Sequence, residues 1–186
     1  MSCDYSVVSY PFIARPPGYL TPYEQFVYNL THSTGAVALS QITYKSKHKK
    51  KLKSLARCGL LAMHRLEGLY KLNVLTPGPF PGLPEVLKSL AFTRLVLMLK
   101  QYGCVFTDEE PPYRVIILDG KTYHVVIHRE TEPIMPAVMQ ASQQERSIIL
   151  AEKYHPEFAA LESARILLDT YDVFLYPDGT PEKEPA

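Results

Sequence analysis

From Thr21 onward, apolar side chains recur at Tyr23, Phe26, Val27 and Leu30. That is the i, i+3, i+4, i+7 spacing of one buried helical stripe. Thr21 can cap free backbone N–H groups and Pro22 suits the first helical position, so a helix is expected to about His32, where Ser33, Thr34 and Gly35 end it. A short second helix is expected from about Ala36 to Ile42, with Leu39 and Ile42 turned to the core. Ser46 to Gly59 reads as a third helix with two unlike faces. At about 100° per residue, Ser46, Lys49, Lys50, Lys53 and Arg57 fall in one polar sector, Leu52, Leu55 and Ala56 lie opposite, and Gly59 is the stop. The period then changes from helical to alternating. Leu60 to Leu66 and Leu69 to Leu75 flank Glu67-Gly68, which predicts a β-hairpin.

The first 19 residues hold Pro11, Pro16, Pro17 and Gly18 without a sustained period. They read as an extended arm packing through Tyr5, Val7, Val8, Tyr10 and Phe12. Thr76 to Pro84 carries four prolines and two glycines and is expected to be a boundary. Glu85 to Tyr102 then predicts a long helix ended by Gly103. Its Leu90, Phe92, Leu95, Val96, Leu97, Met98 and Leu99 cover much of the circumference, so it must be buried on more than one side; a homodimer interface is expected to take part of it, the alternative being that the C-terminal sheet takes it all. Val115 to Leu118 and Thr122 to Ile127 around Asp119-Gly120 predict a second hairpin with the strongest short turn signal in the chain. A helix is expected after Pro133, strands at Ser147 to Ala151, Ala164 to Leu168 and Asp172 to Tyr176, a short helix between Glu152 and Ser163, and a frayed tail from Pro181 to Ala186.

A length of 186 residues allows one ordinary domain or two small ones that share a core, and two are expected. Hydrophobic residues make up 46% and charged residues 21%, enough apolar surface for a packed core. The net charge of +1 conceals an asymmetry. Residues 1–75 hold ten Lys or Arg against three acids, net +7, whereas residues 76–186 hold ten against sixteen, net −6. Nine of the first ten lie between Lys45 and Lys71, and polyanions are the usual target of so local a patch.

Three helices followed by a hairpin, with the third helix basic, resemble the winged helix-turn-helix family over Leu20 to Leu75. Leu52, Lys53, Ser54, Leu55, Cys58, Gly59, Leu60 and Leu61 look like the end of a recognition helix turning into the first wing strand, and His64 to Lys71 stand where such families place the wing. The resemblance implies an α+β chain: an arm at 1–19, a winged helix-turn-helix DNA-binding domain at 20–75, and a small mixed α/β domain for assembly or sensing at 84–178. It implies double-stranded DNA as partner and a role in transcription or replication regulation. The major groove admits one helix, and flexible ammonium groups suit phosphate contact. Lys49, Lys50 and Lys53 are therefore expected on phosphates, Ser46, Lys47 and Lys49 near the helix start as the candidates to reach bases, with Arg57 on the same helix and Arg65 and Lys71 on the wing. With one arginine on that helix, affinity should come more from charge than from base reading. The order of elements, with Tyr123, Val125 and Val126 and the run Gln144, Glu145, Arg146, Ser147, Ile148 and Ile149, is similar to replication-relaxation proteins of mobile elements, from which no functional residue is carried over. The alternative is a protein-interaction module of the same fold in which the basic helix meets an acidic protein or only solvent.

Catalytic patterns are weak. Asp119, Gly120 and Lys121 formally match the Asp-x-Lys part of a Mg²⁺-dependent nuclease, but they also form the turn itself. His124 and His128 on a strand lie about 13 Å apart, too far to share one ion. There is no phosphate-cradling glycine loop, GxSxG or HExxH. Cys3, Cys58 and Cys104 form no CxxC, and Cys58 and Cys104 are expected in the core. A non-enzymatic cytoplasmic protein is expected, with no cofactor, no metal, no identifiable small-molecule ligand, and no leader or membrane span.

Overall fold

The computed structural model describes residues 5–14, 18–42, 45–68, 71–100, 105–106, 114–162 and 164–168. The side chain of Lys47 and the expectations for Cys3, Leu69, Tyr70, Gly103, Cys104, Asp172 to Tyr176 and the tail lie outside them. Among the described residues no helix is long and apolar enough to cross a membrane. The fold is mixed α+β.

Helix α1 (Pro22–Thr34) begins as its sequence dictates. The Thr21 hydroxyl accepts from the Glu24 N–H while Glu24 accepts from the Thr21 N–H at 2.9 Å, a reciprocal capping box with Pro22 in the first turn. Gly35 ends it at φ 87°, where a Cβ would stand 2.7 Å from Ser89 Oγ. Glycine is therefore required there twice over. The expected second helix is shorter than anticipated: Val37–Ala38 form strand β2 and only Leu39–Ile42 form α2. The basic helix α3 (Ser46–Arg57) leads into β3 (Ala62–Glu67) and β4 (Lys71–Thr76), the expected hairpin. The arm contributes an edge strand, β1 (Ser6–Ser9), so the first sheet runs β1-β3-β4-β2, all antiparallel.

Helix α4 (Leu83–Leu99) comes next, followed by β5 (Val105–Phe106), β6 (Arg114–Leu118), β7 (Lys121–His128), α5 (Ile134–Ser142), β8 (Ser147–Ala151), α6 (Pro156–Ala159) and β9 (Ala164–Leu168). These strands form a second sheet in the order β5-β6-β7-β8-β9, antiparallel up to β7 and parallel after it. Asp119 and Gly120 turn the β6–β7 hairpin at φ 50° and 71°, as a type I′ turn requires, so the hairpin accounts for this pair. Val126, Ile149 and Ala151 pack with Ala137, Ala141 and Phe158 of α5 and α6 on one face, while Ile116, Val125, Ile127, Ile148 and Leu150 meet α4 on the other.

Helix α4 is covered for most of its length within one chain. Val86 and Leu90 pack with Tyr5, Ala36, Ala38, Leu66, Leu72 and Val74 of the first sheet and its flanks, and Phe92, Leu95 and Val96 share a cluster with Leu30, Val37 and the second sheet. A polar seam reinforces the contact. Thr93 Oγ1 lies 2.6 Å from both Thr34 Oγ1 and the Ala36 carbonyl, and Gln41 donates to the Leu90 carbonyl at 2.8 Å. On the far side buried Arg114 pairs with Glu85 and reaches Ser89 Oγ at 3.2 Å. Most of the burial from which a homodimer was expected is thus met internally, while Met98 stays 51% exposed.

Because this core is shared, the two sheets should unfold in one transition, and Phe92→Ala should lower stability by about 3–5 kcal/mol while keeping that single transition. Denaturant titration of the full chain, read by far-ultraviolet circular dichroism and by tyrosine fluorescence, checks this. Two separated transitions would mean that the halves fold independently.

Candidate nucleic-acid interface

Helix α3 is held by Leu52 and Leu55, both buried against Val27, Leu39, Leu61 and Leu75. Its end is a Schellman motif: the Leu60 N–H donates to the Leu55 carbonyl, the Gly59 N–H to the Ala56 carbonyl, and Gly59 sits at φ 71°. The two leucines fix which way the helix faces. Ser46, Lys50, Lys51, Ser54, Arg57 and Cys58 are exposed, whereas Lys49 and Lys53 are half-buried at the edge of that face. The outward sector is therefore rotated from the expected one. Lys51 and Ser54 join it, Lys49 and Lys53 border it, and Cys58 stands in solvent rather than in the core.

The charge on this helix is poorly accommodated by the helix itself. No acid lies in its first turn and no side chain caps it. Lys45 and Lys49 stand at the end at which the macrodipole is positive, with Lys50 and Lys51 in the following turn. Each charge so placed is unfavourable by roughly 0.3–1 kcal/mol at low ionic strength. Lys45/Lys49, Lys49/Lys53 and Lys53/Arg57 add like-charge pairs at i, i+4, each destabilising by about 0.2–0.5 kcal/mol. Glu24 of α1 acts on this helix, its carboxyl held below its ordinary range by hydrogen bonds from the Thr21 side chain and backbone and by the charge of Lys51.

The hairpin adds less positive charge than its sequence suggests. On the outward face Arg65 stands opposite Val8 and Asn73, and its Nε lies 2.9 Å from Glu67 Oε1 with both side chains 38% exposed. Such a surface pair is worth about 0–1 kcal/mol, so an incoming phosphate can compete for the arginine. Exposed Lys71 is paired across the strands with Glu67.

His64 anchors the hairpin from within. It is buried, with Nε2 2.8 Å from Thr76 Oγ1 and Nδ1 2.9 Å from Ser9 Oγ, and the Phe80 ring lies edge-on at 5.0 Å. Thr76 donates to the Gly78 carbonyl at 2.6 Å, so it accepts from His64 Nε2–H, and Nδ1 accepts from Ser9. One neutral imidazole thereby ties β1, β3, β4 and the loop at 77–82 together. Sequence reading had assigned His64 to the wing without distinguishing its inward direction, although the alternation from Ala62 to Leu66 carries that information.

Two outcomes follow from this geometry. Lys45→Asp, which supplies a cap and an acid at the positive pole, should stabilise the chain by about 1 kcal/mol in urea. A lower midpoint would show that the positive charge is not strained there. Burial pushes the His64 pKa below its ordinary value, so the folded state resists the proton that the unfolded chain accepts. The stability gained by keeping His64 neutral is full above the ordinary histidine value of about 6.5 and is lost as pH falls below it. The stability advantage of wild type over His64→Gln should therefore shrink between pH 7.5 and 5.5, and a constant gap would contradict the burial effect.

Comparison of the chain with protein-family models, with curated proteins and with solved structures finds no match.

Proposed function

We propose that this chain binds double-stranded DNA through α3 and the β3–β4 hairpin as a winged helix, and that it serves transcription or replication regulation. One observation carries the reading. Helix α3 concentrates lysines at its positive pole without an acid in its first turn, and buried Leu52 and Leu55 hold its charged side outward. A line of phosphates relieves both the pole and the like-charge pairs, and the released counterions drive association. In support, α1, α2 and α3 precede an antiparallel hairpin whose outward face bears Arg65 and Lys71, the succession the resemblance implies. Ser46 and Lys47 at the start of α3 are the residues nearest to bases on this reading. Lys50, Lys51 and Arg57 are the main phosphate contacts, with Lys49, Lys53, Arg65 and Lys71 at the margin. The second part of the chain is on this reading an assembly or sensing unit.

The test is duplex binding measured over a range of salt concentrations. Replacing Lys50, Lys51 and Arg57 together by Ala should weaken binding and flatten the log–log salt slope by about 0.9 per lost phosphate contact, whereas Arg65→Ala should weaken it less. A folded triple variant with the wild-type slope would remove α3 from the interface. Binding to poly-glutamate as tight as to duplex would favour an acidic protein as the partner instead.

A further inference from the structure

His128 ends β7 and His155 immediately precedes α6, so residues 27 positions apart meet at the carboxyl ends of the parallel strands β7 and β8. Their rings are nearly perpendicular, with centres 5.0 Å apart, and Phe158 closes the cluster at 5.6 and 5.8 Å. His128 is 2% exposed. His128 Nδ1 and His155 Nε2 are both buried without a hydrogen-bond partner, and they are not bonded to one another. Buried imidazole nitrogens without a partner are costly, and here two of them belong to rings in direct contact.

We propose that His128 and His155 together bind one divalent transition-metal ion of the Zn²⁺ type. Two imidazoles sharing a tetrahedral ion at about 2.0–2.1 Å from each nitrogen hold their ring centres about 5 Å apart, which is the separation present here. Nitrogen donors select Zn²⁺, Cu²⁺ or Ni²⁺ over Mg²⁺ and Ca²⁺. The surroundings tolerate the added charge because the neighbouring cations are matched: Arg129 pairs with Glu152 at 2.7 Å and Lys88 with Glu132 at 2.6 Å. Among the described residues no third His, Cys, Asp or Glu completes the set. The other coordination positions therefore fall to water or to a ligand entering the cavity of about 650 Å³ that His128 lines with Val126, Pro133, Ala137 and Met139. The site is thus an open one, of micromolar rather than structural strength.

The full chain is titrated with Zn²⁺ against a chromophoric chelator, alongside His155→Ala, His155→Gln and, as a control on another element, His32→Ala. One Zn²⁺ per chain is expected, bound at least tenfold more weakly by both His155 variants and unchanged by His32→Ala or by millimolar Mg²⁺. Co²⁺ added to the wild type should show visible d–d absorption, which needs no variant to fold. Wild-type affinity in His155→Gln, or the absence of both a stoichiometric ion and the Co²⁺ bands, would overturn the proposal and leave two histidines packed only for their rings.

Discussion

An apolar helix without a polar face can exist only where protein surrounds it, and α4 is such a helix. Val86 and Leu90 pack on the first sheet and Phe92 and Val96 on the second, so one helix fills the space between them. The close approach of α1 and β2 to α4 depends in turn on Gly35, whose missing Cβ leaves room for Ser89. The orientation of the basic helix follows from this. Leu39 and Val27, which receive Leu52 and Leu55, belong to elements that α4 supports from behind.

Electrostatics runs against that packing in α3. A helix with so many like charges and no cap would be marginal alone, since short isolated helices are unstable even with good sequences. Burial of Leu52 and Leu55, about 1.5–3 kcal/mol each, offsets the repulsion and keeps the helix folded with its basic side outward. The strain is then available to a polyanion. Glu67 moderates the hairpin in the opposite sense by holding Arg65, so the helix rather than the hairpin is the stronger anion site on the proposed reading.

What could be read from sequence was what local chemistry decides. The Thr21 cap, the Gly59 stop, the Asp119-Gly120 turn and the strand Ser147–Ala151 each carry their signal within a few residues and lie where expected. Val37–Ala38 did not, because two residues have no period and become a strand only by pairing with Val74 and Leu75. The apolar excess of α4 showed how much had to be covered but not how a second sheet and a dimer would share it; the second sheet covers Phe92, Leu95 and Val96, and Met98 stays exposed. The rotation that brings Lys51 and Ser54 outward and Lys49 and Lys53 to the edge was missed because a helical wheel lacks the position of the neighbouring core. His128 and His155 could not be associated at all, since only the parallel pairing of β7 and β8 brings them together.

The central claim, that the outward side of α3 meets a polyanion, is tested most directly by lysine reactivity. The full chain is acetylated lightly with and without duplex DNA, and modification is read residue by residue by mass spectrometry. Lys50 and Lys51 should be strongly protected by the duplex, with partial protection at Lys71 and none at Lys121 or Lys153, which lie on the second sheet and its loops. A complex that forms while Lys50 and Lys51 stay as reactive as in the free chain would contradict the account.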